Sequence, residues 1–281
     1  MRKQNKKNEP TKATSFTAEM NEMLLMQNLP GRWQPMSFGE MIETSSIFKE
    51  ISKNLKWLFP PICNRKDQAA LTDIERERYI CAFTMVNNDG TLGQLVETHR
   101  GMYMQHTDPY LLPWHRIFLM LFEEALHHYH PDVCIPYWDW TRPEEQHFPD
   151  WLTAVLPTVN TNAGPVVVTR APQSSANLAS IAGMTPTAMS KTNYADFSSL
   201  INLIHGSVHG WVGGSMSSPY TSPADPVFWL HHANLDRLWW VWYNSTQGNH
   251  QNPVLADPQM HPWTYTEPQT RNIITLGYNY V

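Results

Sequence analysis

Histidine placement constrains this chain more than any other feature. Among 281 residues there are 13 histidines and 12 tryptophans, numbers that bulk stability alone does not explain, and the histidines are unevenly spread. Three groups lie on or beside segments of helical period: His99-x6-His106-x8-His115, His205-x3-His209, and the doublet His231-His232 with Asp236 and Arg237 behind it. Residues four apart leave one helix face a turn apart, so the imidazoles of His205 and His209 can close on one ion. Adjacent residues point about 100° apart. At most one of His231 and His232 therefore readily serves that ion, and the other belongs to the pocket wall. Asp236, one turn past His232, can orient that imidazole or fix the helix through a neighbour.

The segments that carry these groups read as helices. Thr72 with Glu75 three residues on marks a capped start, and the helix runs to Asn87. A second covers Leu92 to Met104, followed by a loop with Pro109 and Pro113. In Trp114–His128 the residues Ile117, Phe118, Leu121, Phe122, Ala125 and Leu126 form one apolar face, and Pro131 stops it. Helical period returns from Ala195 to Val212. Asp225-Pro226 then supplies an N-cap and a first-turn proline for Val227–Tyr243. Residues 134–193 read as loop, and Asn272–Leu276 as a short strand. The pattern is mostly helical with one core. Pro60-Pro61 separates an N-terminal extension, 1–60 (1–15 polar and expected to be disordered), from a domain at 61–281.

Composition removes several classes. With 42% apolar residues the chain can build a core, and a net charge of −5 is a poor match to a phosphate backbone, so nucleic acid is excluded as the main partner. The apolar runs Ile117–Phe122 and Leu238–Tyr243 fall far short of the roughly 20 residues that span a bilayer. The basic start MRKQNKKNEPTKATS has no apolar stretch after it, so no export signal is expected. Three cysteines, Cys63, Cys81 and Cys134, are an odd and sparse set; they read as small buried residues in a reducing compartment, and the expected location is the cytoplasm.

Imidazole donors without cysteine suit copper, zinc, iron or nickel. The pair here is HGSVH, lacking the glutamate of a zinc protease helix, and a non-haem iron site wants a carboxylate. Two three-histidine sites from separate helices match two coppers with room for dioxygen. A structural zinc bundle is the rival reading. His127, His128 and His130 suit a helix C-terminus; His147, His250 and His261 read as surface.

At this point a resemblance enters. HTDPYLLPWHRIFLMLFEE (His106–Glu124) followed by IPYWDW (Ile135–Trp140) resembles the first copper signature of tyrosinases and related polyphenol oxidases. HGSVHGWVGG (His205–Gly214) and DPVFWLHHANLDRLW (Asp225–Trp239) resemble the second. Similar modules occur in molluscan haemocyanins. The resemblance runs from about Asn64 to Tyr280. It implies a mainly α protein, a four-helix bundle around a dinuclear copper site with long loops and few short strands, and dioxygen as co-substrate. The implied ligands are His99, His106 and His115 for one copper and His205, His209 and His232 for the other. Trp114 and Arg116 flank His115, Phe228 packs over the site, and His231, Asp236 and Arg237 stand behind it. Ser215–Thr221, with Ser218 and Pro219, forms an accessible mouth.

The implied activity is oxidation of a small phenolic substrate, an o-diphenol, to its o-quinone. Monophenol hydroxylation in many tyrosinases is assigned to a water held by a Glu and an Asn. Here the Asn position is Gly206, no Glu lies between Tyr194 and Ile204, and Asp196 is the only nearby acid, a candidate to orient that water or else part of a helix cap. An o-aminophenol oxidase and a haemocyanin-type oxygen carrier would share the six ligands. A separate copper-delivery partner is compatible with the pattern. The sequence stops one residue after Tyr278-Asn279-Tyr280, which resembles the tyrosine motif that closes the catalytic domain, so no shielding C-terminal domain is expected.

Overall fold

The computed structural model describes residues 63–101, 103–142 and 148–281, all within the compact unit Ser37–Val281. The expectations for residues 1–60 and for His147 lie outside the described residues. Helices dominate: α1 Asp73–Asn88, α2 Thr91–Arg100, α3 Asp108–Tyr129, α4 Ser175–Ala182, α5 Thr185–Met189, α6 Tyr194–Val212 and α7 Pro226–Tyr243. The strands are β1 Cys63–Arg65, β2 Thr158–Thr161, β3 Gly164–Val167 and β4 Tyr278–Tyr280. β2 and β3 form an antiparallel hairpin, and β1 pairs with β4 in parallel, Arg65 opposite Tyr280. No helix among the described residues is long and apolar enough to cross a membrane.

The centre of the fold is α3, which packs on α1, α6 and α7. It starts six residues earlier than its apolar period suggests, so Pro109 and Pro113 lie inside it and not in a loop. Pro109 falls in the first turn, where an N–H has no helical partner to lose. Pro113 leaves the carbonyl of Pro109 without its helical donor; the hydroxyl of Tyr194 donates to that carbonyl at 3.2 Å instead. A cross-helix bond thus replaces a lost in-helix bond and ties α6 to α3.

The other helix starts follow their caps. Thr72 and Glu75 form the full reciprocal box at α1, and Asp225 accepts the Val227 N–H at 2.9 Å at α7. Asn193, not a residue near Ala195, caps α6, taking the Asp196 N–H at 2.9 Å. Residues 134–193 are less irregular than expected, since they contain the hairpin and two short helices. Asn272–Leu276 is not a strand: the Leu276 N–H turns back to Ile273 at 3.1 Å, and extended backbone begins only at Tyr278.

β1 and β4 deliver charge into the interior. Arg65 makes paired bonds to Glu123 at 3.0 and 2.9 Å and stacks over the Tyr278 ring at 3.7 Å. Arg116 donates to Asp236 at 2.5 Å, and the hydroxyls of Tyr278 and Tyr280 donate to the other oxygen of Asp236 at 2.7 and 2.6 Å. All four charged groups are buried; two cations meet two anions, so no charge is left uncompensated.

The cysteine expectation fails. Cys63 and Cys134 form a disulfide across 71 residues, with Cα atoms 5.6 Å apart, and only Cys81 is free. An odd count hides a pair when the third cysteine is an ordinary packed residue, and the partners become neighbours only once β1 docks beside the segment after α3. Closing a loop of that length removes about 4 kcal/mol of unfolded-chain entropy. The double variant Cys63→Ser, Cys134→Ser should unfold in urea with a stability lower by about 2–4 kcal/mol. Titration of the denatured, unreduced parent should find a single thiol; three thiols, or an unchanged midpoint, would contradict the assignment.

Candidate metal centre

α2 presents His99 from its last turn, α3 presents His115, and the connection between them presents His106. Gln105 secures that connection by donating to the His99 carbonyl at 2.6 Å. The three rings converge, His106 lying 4.7 Å from His99 and 5.7 Å from His115 between centroids. α6 presents His205 and His209 one turn apart, and α7 presents His231 and His232. Each group offers nitrogens that lie within 4.8 Å of one another. Between the groups the rings of His115 and His232 stack at 4.1 Å, 10° from parallel.

Proton positions follow from the partners. His99 Nδ1 meets the Pro219 carbonyl at 2.7 Å and His115 Nδ1 meets the Leu111 carbonyl at 2.9 Å. A carbonyl only accepts, so both Nδ1 atoms carry the proton and both Nε2 atoms are bare when the rings are neutral. Those bare atoms face each other at 3.3 Å. Two lone pairs at that distance repel unless a cation lies between them. In the second group His209 Nδ1 donates to the Met216 carbonyl at 2.7 Å, and its Nε2 faces His232 Nε2 at 3.3 Å. His205 Nε2 is buried without a protein partner. Buried, neutral, imidazole-only donors with fixed Nε2 atoms fit a pair of soft or borderline ions.

The Leu111 carbonyl belongs to α3, whereas those of Met216 and Pro219 come from a loop whose path requires glycine. Gly213 and Gly214 follow α6 with φ of 70° and 54°, and a Cβ on Gly214 would lie 2.1 Å from the Thr169 carbonyl oxygen. The turn carries Met216 and Pro219 back over the histidines. Ser218 contributes only loop bonds, accepting from the Thr221 N–H at 3.1 Å.

Other expected residues divide. Phe228 lies between the groups, 5.3 Å from His99 and 4.2 Å from His232. Trp114 packs 5.9 Å from His99 and donates to the His261 carbonyl at 2.6 Å. His231 Nδ1 accepts from the Trp140 indole at 3.0 Å. Arg116 and Asp236 pair with each other and do not touch the imidazoles, so Asp236 fixes the helix through a neighbour. Arg237 turns away to Asp139 at 2.9 Å. Gly206 is exposed, and a Cβ placed on it would meet nothing within 4 Å. Asp196 does not face the site: it is exposed, bonded to the Asn193 amide at 2.8 Å, and nine residues before His205, about 13 Å along the helix. Two contributors escaped the sequence reading, Asn202 beside His205 and the backbone carbonyls of the loop. Asn202 could have been found by its i−3 spacing from His205; the carbonyls carry no sequence signal.

Facing groups of three and four imidazoles on a set of packed helices define a dinuclear metalloprotein. The common central domain of tyrosinase, as a family model, matches residues 82–170 and 149–245. The tyrosinase of Streptomyces glaucescens is 30% identical over 257 residues, covering 73% of this chain and 93% of that protein. That of Streptomyces antibioticus is 31% identical over 258 residues, covering 73% and 94%. Among solved structures, a functional unit of octopus hemocyanin aligns with a TM-score of 0.63 at 24% identity, covering 77% of this chain and 67% of that one. Recombinant mushroom tyrosinase aligns at 0.60 and 19%, covering 78% and 61%; these two show the fold. The chain belongs to the tyrosinase family of type-3 copper oxidoreductases, whose cofactor is a pair of copper ions.

Burial holds the site histidines neutral. It pushes His99, His115, His205, His231 and His232 well below the ordinary 6.5, and His106 and His209 down to about 4. An unfolded chain takes up these protons near 6.5 and the folded one resists them to about 4, so the unfolded state binds more protons between those values and stability rises with pH. The copper-free protein should therefore lose stability as pH falls from about 6.5 toward 4, read as a falling urea midpoint; equal midpoints at pH 7 and 5 would overturn it.

Proposed function

We propose that this chain oxidises o-diphenols to o-quinones with dioxygen at two coppers, one held by His99, His106 and His115, the other by His205, His209 and His232. The observation that carries this reading is the facing of the two triads, with His115 stacked on His232 and bare Nε2 atoms turned inward. His232 is preferred to His231 by tautomer: His231 Nδ1 accepts from Trp140, so its neutral ring carries the proton on Nε2, and a protonated nitrogen is no ligand. When bound, the coppers supply two-electron redox chemistry with dioxygen. The residues around them do the rest. Phe228 and Trp114 wall the site against water, and the loop carbonyls of Pro219 and Met216 hold His99 and His209 in register.

Two catechols give four electrons and four protons to one dioxygen, leaving two quinones and two waters. Hydroxylation of a monophenol further needs a group that takes the phenol proton. Asp196 is too far to serve and Gly206 has no side chain, which supports a diphenolase stronger than any monophenolase. Copper delivery by a separate protein fits the depth of the triads. The disulfide fits an oxidising compartment, so the cytoplasmic expectation loses the cysteine argument on which it rested.

Copper-reconstituted protein should hold two ions per chain and turn over catechol faster than tyrosine. Comparison with o-aminophenol separates the aminophenol oxidase reading, and reversible oxygen binding without turnover would mark a carrier. Equal rates on tyrosine and catechol without a lag would overturn the preference. Gly206→Asn has room for its side chain and should raise the monophenol rate relative to the diphenol rate; an unchanged ratio counts against the role given to that position.

A further inference from the structure

Asn202 bridges the two triads. It lies half-buried on α6, three residues before His205. Its amide nitrogen donates to the Asp108 carboxylate at 2.7 Å and to the His106 carbonyl at 3.1 Å. Its oxygen faces His205 Nδ1 at 3.2 Å. Both nitrogen partners can only accept, so the amide has one workable orientation, and the oxygen must face the histidine. His205 must then place its proton on Nδ1 and leave Nε2 bare, and that Nε2 is the buried atom without a protein partner.

The other ligands whose Nδ1 partners are seen take theirs from the backbone: His99 from Pro219, His115 from Leu111, His209 from Met216. His205 differs from them in depending on a side chain. We propose that Asn202 is a positioning residue: it sets the His205 tautomer and ties the second triad to the backbone of the first at His106. Asp108 acts through it by fixing the direction of the amide. This inference rests on the copper reading above.

The test compares copper-loaded parent and Asn202→Leu, whose side chain is similar in size and lacks both polar functions. Melting temperature, copper per chain under a chelator titration, and imidazole nitrogen-15 shifts of the copper-free proteins are measured together. A helix-bridging role alone would change melting without moving the His205 nitrogen shifts. The expected result is one copper held as in the parent and the other bound 10–100-fold more weakly, the scale for losing a ligand's orienting partner, with the Nδ1–H signature of His205 replaced by a tautomer mixture.

The paired swap Asn202→Asp with Asp108→Asn keeps an oxygen for His205 and a donor opposite it but gives up the bond to the His106 carbonyl, so it should restore the Nδ1–H signature of His205 and part of the second copper's lost affinity. The single Asn202→Asp sets two carboxylates face to face and should not. If Asn202→Leu fails to fold, the single and paired variants make the same comparison. A parent that takes up fewer than two coppers sinks the copper reading. A parent with two coppers and variants that hold both equally, with unchanged His205 shifts, overturns the role of Asn202 alone.

Discussion

The bare nitrogens of His99 and His115 face each other at 3.3 Å, and the fold is arranged to keep them so. Each ring could relieve the repulsion by turning over or taking a second proton. Turning over would break a bond from Nδ1 to a carbonyl, and a second proton would put charge where burial disfavours it. Both escapes are shut by the same elements that make the helices pack. A cation is the remaining remedy, so the affinity of this site for metal is built from hydrogen bonds that never touch the metal.

Register between the triads depends on a different pair. Arg116 follows His115 on α3, and Asp236 lies one turn past His232 on α7. Because neighbours on a helix diverge by about 100°, the imidazole and the guanidinium of α3 look in different directions, one toward the ions and one toward Asp236. Their 2.5 Å contact fixes how far α3 can slide along α7, and His115 stacks on His232 as a consequence. Such a buried pair adds little net stability, yet it specifies one arrangement over others. Tyr278 and Tyr280 fill the remaining acceptor positions on Asp236, which is why a short strand at the far end of the described chain matters to a site it does not line.

Periodicity and spacing made much of this legible. The apolar face of α3, the Thr72–Glu75 box and the i, i+4 pair on α6 are local patterns, and local patterns survive translation into structure. The failures share a cause. Pro113 reads as a helix breaker because the hydroxyl that compensates it belongs to Tyr194, 81 residues away in sequence. Cys63 and Cys134 look unrelated because their neighbourhood exists only after β1 docks beside the segment that follows α3. Asp196 has useful chemistry, but it lies on the exposed side of the first turn of α6, whose other side buries Tyr194 and Phe197. The Pro219 and Met216 carbonyls are backbone atoms that any residue would supply, so nothing in their side chains announces the role.

The two triads are equally enclosed, each with two buried rings and one that is partly open. His99, His115, His205 and His232 are buried, whereas His106 and His209 are partly open and Gly206 is exposed. The partly open ring of the first triad sits on the connection between α2 and α3 and that of the second on α6, so enclosure does not tell the two sites apart.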